Sequence, residues 1–363
     1  MRGAKKIILF GLIVILFSCS SEKDKKQLVQ LANLPISGSV TDVAEYVDDN
    51  GREYAIVGFG RFDLGSSPTS GIEIIDVTDP RNPVSVARET TVPGFDVKVW
   101  QNYVYTVDGD SDLKGSIIDI SKLDNLRVVG EFQSSHNIFI SKAGLMFCAD
   151  NNLPTRILDL KPDPANPKFV WSGGFDGHDT AVIGNRWYHF GDSDATLVYD
   201  ITNRTRPDQI VSIKSSKIAL HHSGWPTEDG RHIYICDELA DLSQPPKPFD
   251  ITIWDISDAQ NPKQVGGFAD ANATVHNLYI IGDYAYVSYY SAGFRIFDVS
   301  NPASPKLLET FATPKSDGGR FDGAFGVYPF APSGNIYVSD SGTGLHIFSF
   351  EPGNLGGVNP VGS

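Results

Sequence analysis

Eight histidines are spread over 363 residues, and four of them recur in one kind of local context. His136 (SHNI), His178 (GHDT), His222 (HHSG) and His276 (VHNL) each open a short strand-like run. Three aspartates take the matching place elsewhere: Asp42 (TDVA), Asp96 (FDVK) and Asp322 (FDGA). A column of imidazoles and carboxylates is a donor set suited to a divalent transition-metal ion such as Zn, Fe, Mn or Cu. The same column could instead hydrogen-bond neighbouring segments and pin the fold, or recognise a small ligand without metal. The residues alone leave these three readings open. Zinc ligation would need neutral imidazoles at about 2.0–2.1 Å, each with a partner for its other ring nitrogen. Seven groups around a wide channel cannot all reach one ion, so three or four would. Without metal, imidazoles beside carboxylates are expected to have raised pKa values, so that the site changes charge between mildly acidic and neutral pH. Asn137, Asp179 and Asn277 follow three of the histidines, and strand alternation is expected to turn them to the opposite face.

The elements that must position this column are repeats. An apolar, β-branched run ending in Asp, then a turn and a second short strand, recurs at 71–86, 115–129, 155–170, 196–211, 251–265 and 294–308, with a truncated seventh copy at 344–353. The aligned residues are Asp76, Asp119, Asp159, Asp200, Asp255, Asp298 and Ser349, spaced by 43, 40, 41, 55, 43 and 51. A period in the low forties with strand patterning indicates propeller blades. Hairpin signals precede each unit, such as Asn50-Gly51, Asp229-Gly230 and Gly334-Asn335. Each repeat thus supplies four antiparallel strands, a to d. The last repeat lacks strand d, and residues 25–35 (KKQLVQLANLP) read as the missing one. The expected fold is all-β: a seven-bladed β-propeller of four-stranded antiparallel blades, closed by the N-terminal strand, which removes open sheet edges.

Strand a of a propeller lines the central axis, so the column should form one layer around it. Strand b runs back to the same end, and its ends are rich in acids: Asp108, Asp110, Asp112, Asp150, Asp192, Asp194, Asp237, Glu238 and Asp340. Two long loops, 237–250 and 312–321, fall at this end too. Asp42, Asp96, Asp322, Asp192, Asp194, Asp237 and Glu238 are therefore the expected ligand-binding mouth. Asp237, Glu238 and Asp322 are its candidate acid/base groups, and His136, His178, His222 and His276 its candidate metal ligands. His221, His189, His232 and His346 read as packing residues. Asp108-Gly109-Asp110-Ser111-Asp112 resembles the start of a calcium loop but lacks the distal Glu and the helices of an EF-hand. Ser223 is not in a GxSxG elbow, and no P-loop is present.

Several stretches in series resemble the LVIVD-repeat family, and within it the choice-of-anchor B group: TDVAEY, FDVKVW, SHNIFI, GHDTAV, HHSGWP, DEL, VHNLYI, SYYSAGFRI and FDGAFGVYPFAPSG. The resemblance covers roughly residues 38–350. It departs at Val275, where an acid precedes the last His, and at Ala44 and Phe325, where Trp is usual. It implies a propeller body and a surface location rather than a particular reaction.

The N-terminus reads as an address. Three basic residues in 1–6 precede an apolar run of eleven, 7–17, too short to span a bilayer and suited to a secretory h-region. Leu16-Phe17-Ser18-Cys19 resembles a lipobox, with Cys19 the lipidated first residue of the mature chain. Residues 1–18 are the expected lipoprotein signal peptide, 19–24 a lipidated linker, 25–353 the propeller and 354–363 a flexible tail. Cys148 and Cys236 are expected to be buried, at equivalent positions of non-adjacent repeats and too far apart for a disulfide.

Net charge is −14, and the first 18 residues hold three basic and no acidic residues, so the mature surface is more acidic still. That balance argues against nucleic acid as a partner. The expected protein is a Gram-negative outer-membrane lipoprotein, facing the periplasm or the surface. The membrane, through Cys19, and an unknown ligand or envelope protein are its expected partners, bound at an acidic, His-lined mouth. The alternative is a metal-dependent hydrolase or oxidase with a His-ligated ion on the axis.

Overall fold

A computed structural model describes residues 28–60, 70–109, 113–173, 176–191, 195–240, 249–270, 273–313 and 319–352. Among the described residues, every strand belongs to one of seven four-stranded antiparallel sheets. Six sheets are built from strands consecutive in the chain. The seventh orders Leu28–Leu34, Gly344–Phe350, Ile336–Asp340 and Ala324–Tyr328, so the N-terminal strand is its outermost member. Pairing runs from Leu28 opposite Phe350 to Leu34 opposite Leu345, which fastens the two ends of the propeller together. The innermost strands are Val40–Val47, Asp96–Trp100, Asn137–Ile140, Asp179–Ile183, Ser223–Pro226, Leu278–Ile281 and Ala324–Tyr328. Each touches the next in cyclic order, and the last touches the first.

Stacking explains the strand sequences. A blade is covered on both faces by its neighbours, so its middle strands are nearly continuously apolar rather than alternating. Tyr54, Ala55, Ile56 and Val57 are all buried, as are Leu145, Met146, Phe147 and Cys148. Separate apolar clusters lie at the blade junctions. One packs Ile72 and Ile74 of the first blade on Val97, Val104 and Ile118 of the second, and another packs Tyr337 and Ile347 of the seventh on Val43 and Val57 of the first. The register between strands c and d shifts once in every blade, as between Ile74 and Ile75 or between Ile253 and Trp254. One extra residue there increases twist, and the outer strand follows its neighbour's curvature.

The repeated aspartates act at the outer end of strand c. Asp76 Oδ1 accepts the Thr78 N–H, and Asp119, Asp159, Asp200, Asp255 and Asp298 do the same for the residue two positions on. Each such Asx turn supplies the backbone partner that the c–d connection would otherwise lack. The repeat signature is thus a turn device, placed away from the axis. Cys148 and Cys236 are buried free thiols. They are not at equivalent positions: Cys148 lies opposite Ile138, and Cys236 opposite Ser223, one residue nearer the end of its strand.

Candidate functional site

The histidines converge. Six rings close a circle around the axis: Phe95, His136, His178, His222, His276 and Phe325, with successive centroids 5.1, 4.1, 4.1, 5.0 and 4.0 Å apart, and Phe325 5.8 Å from Phe95. The first blade contributes Thr41, whose hydroxyl donates to the Gly94 carbonyl. His178, His222 and His276 are buried.

The aspartates occupy a different layer, which corrects the column read from sequence. The N–H of Phe95 bonds to the Val107 carbonyl, and those of His178, His222 and His276 bond to Phe190, Cys236 and Ser288 in the same way. The crown position is therefore Phe95, not Asp96. Asp42 and Asp96 lie one residue deeper, level with Asn137, Asp179, Ser223 and Asn277 around the axial cavity. Asn137, Asp179 and Asn277 consequently face the axis rather than the opposite side. Strand alternation does not govern them because each His stands just ahead of its regular strand, where the pleat does not yet apply. In the last blade the crown residue is Phe325, and Asp322 lies three residues earlier on the approach loop, outside both layers.

In the deeper layer, Asp42 and Asp96 each reach across to the next blade. Asp96 Oδ2 accepts the Ile138 N–H at 2.7 Å, and Asp42 Oδ2 accepts the Val97 N–H at 3.5 Å. Lys98, two residues after Asp96, donates to Asp42 at 2.6 Å and to Asp96. Burial works against the Lys98 charge, yet the two carboxylates hold its ammonium well above the usual range. Burial raises Asp42, and Lys98 opposes it. Beyond this layer, Phe139, Trp225, Tyr279 and Phe330 close the far end of the axis with ring centroids 4.8–6.1 Å apart. The axial space between is on the scale of ions and water molecules. Asn137 Oδ1 and Asn277 Oδ1 are buried there and find no protein partner.

At the crown end, two loops bend over the rings. Glu238, just after strand b of the fifth blade, places Oε2 3.6 Å from His222 Nε2, while Tyr290 donates its hydroxyl to Oε1. The Arg320 guanidinium donates to the carbonyls of Glu238 (2.8 Å) and Ala240 (3.3 Å) on the same loop, and to the Thr274 hydroxyl (3.0 Å) ahead of the sixth blade. Glu238 and Tyr290 thus stand against the crown, with Phe321 packed on Tyr290.

Two of the crown imidazoles, His136 and His222, are held neutral. Burial lowers His136 and His222 to about 4, more than the nearby carboxylates can offset. This reverses the raised values expected from carboxylate proximity: desolvation of a cation inside the ring outweighs attraction to Asp179. His136 Nδ1 donates to the Gly109 carbonyl at 3.1 Å and His276 Nδ1 to the Phe325 carbonyl at 2.7 Å, which leaves Nε2 of each ring as the nitrogen able to offer a lone pair. His178 Nδ1 lies 3.6 Å from Asp179 Oδ1. One ligand atom each from His178, His222 and Glu238 fall within 4.8 Å of one another.

The other acids at this end have structural work. Asp237 accepts N–H groups of Ala219, Leu220 and Leu239, Asp150 those of Asn152 and Leu153, and Asp340 those of Gly342 and Thr343. Asp108 accepts the Ser134 hydroxyl at 2.5 Å. Asp237 is thereby drawn away from acid/base duty. Asp110, Asp112, Asp192, Asp194, Cys19 and the segments 1–18, 19–24 and 354–363 lie outside the described residues. His221 bonds to the Thr196 hydroxyl, His189 to the Asp176 carbonyl and His346 to Thr343, all as packing groups. Sequence reasoning missed Phe95, Phe325, Lys98, Tyr290 and Arg320. The alternation of Asp96 and Lys98 along one strand could have flagged Lys98 as axial.

Fold and crown together define a seven-bladed β-propeller with an imidazole-lined axis. The chain carries LVIVD repeats: that family's model matches residues 95–133 and 274–313, which are the second and sixth blades, each from its crown region through strand d. The crystal structure of the WD40 β-propeller domain of Doa1 is similar, with a TM-score of 0.63 over 89% of this chain and 97% of that one. At 13% identity the likeness is one of fold alone. No curated protein matches the chain in sequence.

Proposed function

We propose that this chain is a lipid-anchored cell-envelope propeller that binds a small ligand at the imidazole crown, without catalysis. The observation that carries the reading is the crown itself. Four consecutive blades send imidazoles to one point, and a glutamate from a loop is held against them by Tyr290. Pinning alone does not require this: the second and seventh blades meet the same packing demand with Phe95 and Phe325. The size of the axial space limits the ligand to an ion, water or a small polar group unless the Glu238 loop moves. A divalent transition-metal ion is the cofactor that the donors favour. Two sequence features support anchoring, the apolar run 7–17 and the lipobox-like stretch ending in Cys19. On that basis the membrane is a partner through the lipid, and the outer membrane is the location. The acidic balance argues against nucleic acid.

Native mass spectrometry of the full chain, purified without chelator, tests the binding. A stoichiometric adduct that disappears in His222→Ala, with the near-ultraviolet circular dichroism unchanged, supports the reading. No adduct, with the variant merely less stable, leaves the crown a structural ring. Palmitate labelling that is lost in Cys19→Ala tests the anchor.

A metal-dependent hydrolase or oxidase is the second reading. Glu238 favours it, as a carboxylate set against the imidazoles from a loop at the crown end. Asp237 and Asp322 are placed less well for acid/base work. One is bonded to three backbone N–H groups, and the other stands outside the crown.

A further inference from the structure

The four histidines differ in what surrounds them, and the differences single out two. His136 faces Phe95 on one side, and His276 packs between Phe325 at 4.0 Å and Tyr290 at 4.9 Å. His178 and His222 are flanked by imidazoles on both sides, and these two share a carboxylate overhead. We propose that His178, His222 and Glu238 hold one divalent transition-metal ion. The ion sits off the axis under the Glu238 loop, not at the centre of a four-histidine ring. This rests on the mouth reading above and names its ligand.

Distances support the assignment. Tetrahedral bonds of about 2.0–2.1 Å put ligand atoms about 3.3 Å apart. His222 Nε2 and Glu238 Oε2 are already 3.6 Å apart, and the whole group fits within 4.8 Å, so a side-chain adjustment of about an ångström completes the site. Glu238 is oriented for one-oxygen ligation: Tyr290 holds Oε1, and Oε2 is the oxygen turned to His222. The loop that delivers it is pinned by Arg320 on two carbonyls and by Thr274, whose hydroxyl also donates to the Glu238 carbonyl at 3.1 Å. Asp179, 3.6 Å from His178 Nδ1, is placed to orient that ring by the carboxylate–histidine arrangement common behind metal ligands. Three protein ligands leave a fourth position for water or an incoming group, the pattern of sites that exchange or activate a ligand rather than of closed structural ones.

Titration of the full chain with Co²⁺, read by visible d–d absorption and by equilibrium dialysis, tests the proposal. One four-coordinate ion per chain is expected. Affinity should fall at least ~100-fold in His178→Ala, His222→Ala and Glu238→Gln, and about 10- to 100-fold in Tyr290→Phe, which removes only the partner of Oε1. His136→Phe should bind nearly as well as wild type, since Phe already serves at that crown position in other blades. No Co²⁺ bound by protein with native circular dichroism overturns the proposal. So does binding indifferent to Glu238→Gln, or binding lost equally in His136→Phe, which would move the ion to the ring centre. If Co²⁺ fails but a native adduct is still lost in His222→Ala, the metal assignment falls and the mouth reading stands.

Discussion

Lys98 is the group whose removal the axial layer should feel most. Its ammonium lies between Asp42 and Asp96, and the side chains are 21%, 10% and 6% exposed, so solvent screens little. Lys98→Met keeps the length and apolar stem but leaves two buried carboxylates facing each other. Removing one partner of a buried ion pair costs about 3–5 kcal/mol, because the remaining charge is left uncompensated. A propeller of this size loses roughly 1.5 °C of Tm per kcal/mol, so calorimetry should record a drop of about 4–7 °C at pH 8. The sign with pH follows. Without the ammonium, the folded-state pKa of Asp42, already raised by burial, rises further. The penalty is therefore full at high pH and is relieved as pH falls through that raised value. The gap between variant and wild type should narrow from pH 8 to pH 5. Adding Asp42→Asn and Asp96→Asn should recover at least half of the loss, since Asn still accepts the Val97 and Ile138 N–H groups. A Lys98→Met variant within about 1 kcal/mol of wild type, or a triple variant no better than the single, would refute the reasoning.

Three further outcomes are expected. In metal-free protein, His136 contributes stability above its unfolded pKa of 6.5 that is lost as pH falls toward its folded value of about 4. His136→Phe should therefore gain on wild type by up to about 3 kcal/mol between pH 7.5 and 4.5, and a flat difference in Tm would contradict the burial argument. Asp42 works in the opposite sense, which is why the difference, and not the wild-type profile, is the readout. Gly326→Ala should cost about 1–3 kcal/mol in chemical denaturation, because a Cβ there would meet Ser339 Oγ at 2.7 Å and Asp42 Oδ1 at 2.9 Å; an unchanged midpoint would show that the layer can relax. Truncation to residue 36 removes the strand paired with Gly344–Phe350 and bares its edge, so size-exclusion chromatography should show aggregates in place of monomer.

The architecture was legible because each blade carries its own turn chemistry. The aspartate ending strand c, the hairpin glycines and the forty-residue period repeat where the physics repeats. The closing strand was legible as well, since Leu28–Leu34 reads like the strand d that the last repeat lacks. The site was harder to read. His and Asp open similar tetrapeptides, so aligning them by polarity put Asp42 and Asp96 in the crown, whereas backbone pairing puts Phe95 there and Asp96 a layer below. Asp322 was misplaced for the same reason: the crown residue of the last blade is Phe325, three positions further on, and a local pattern carries no register. Tyr290 and Arg320 come from loops whose approach to Glu238 is set by tertiary folding, and nothing in their neighbouring residues announces it. The imidazole pKa direction also required the structure, since burial at the closed ring decides it and spacing along the chain does not.

Anomalous diffraction from crystals grown with Co²⁺ tests the central claim most directly. One strong peak is expected under the Glu238 loop, within bonding distance of His178, His222 and Glu238, on an axis ringed by seven blades. A peak bonded to other residues, or none in crystals whose histidine rings still meet at the axis, would contradict the account.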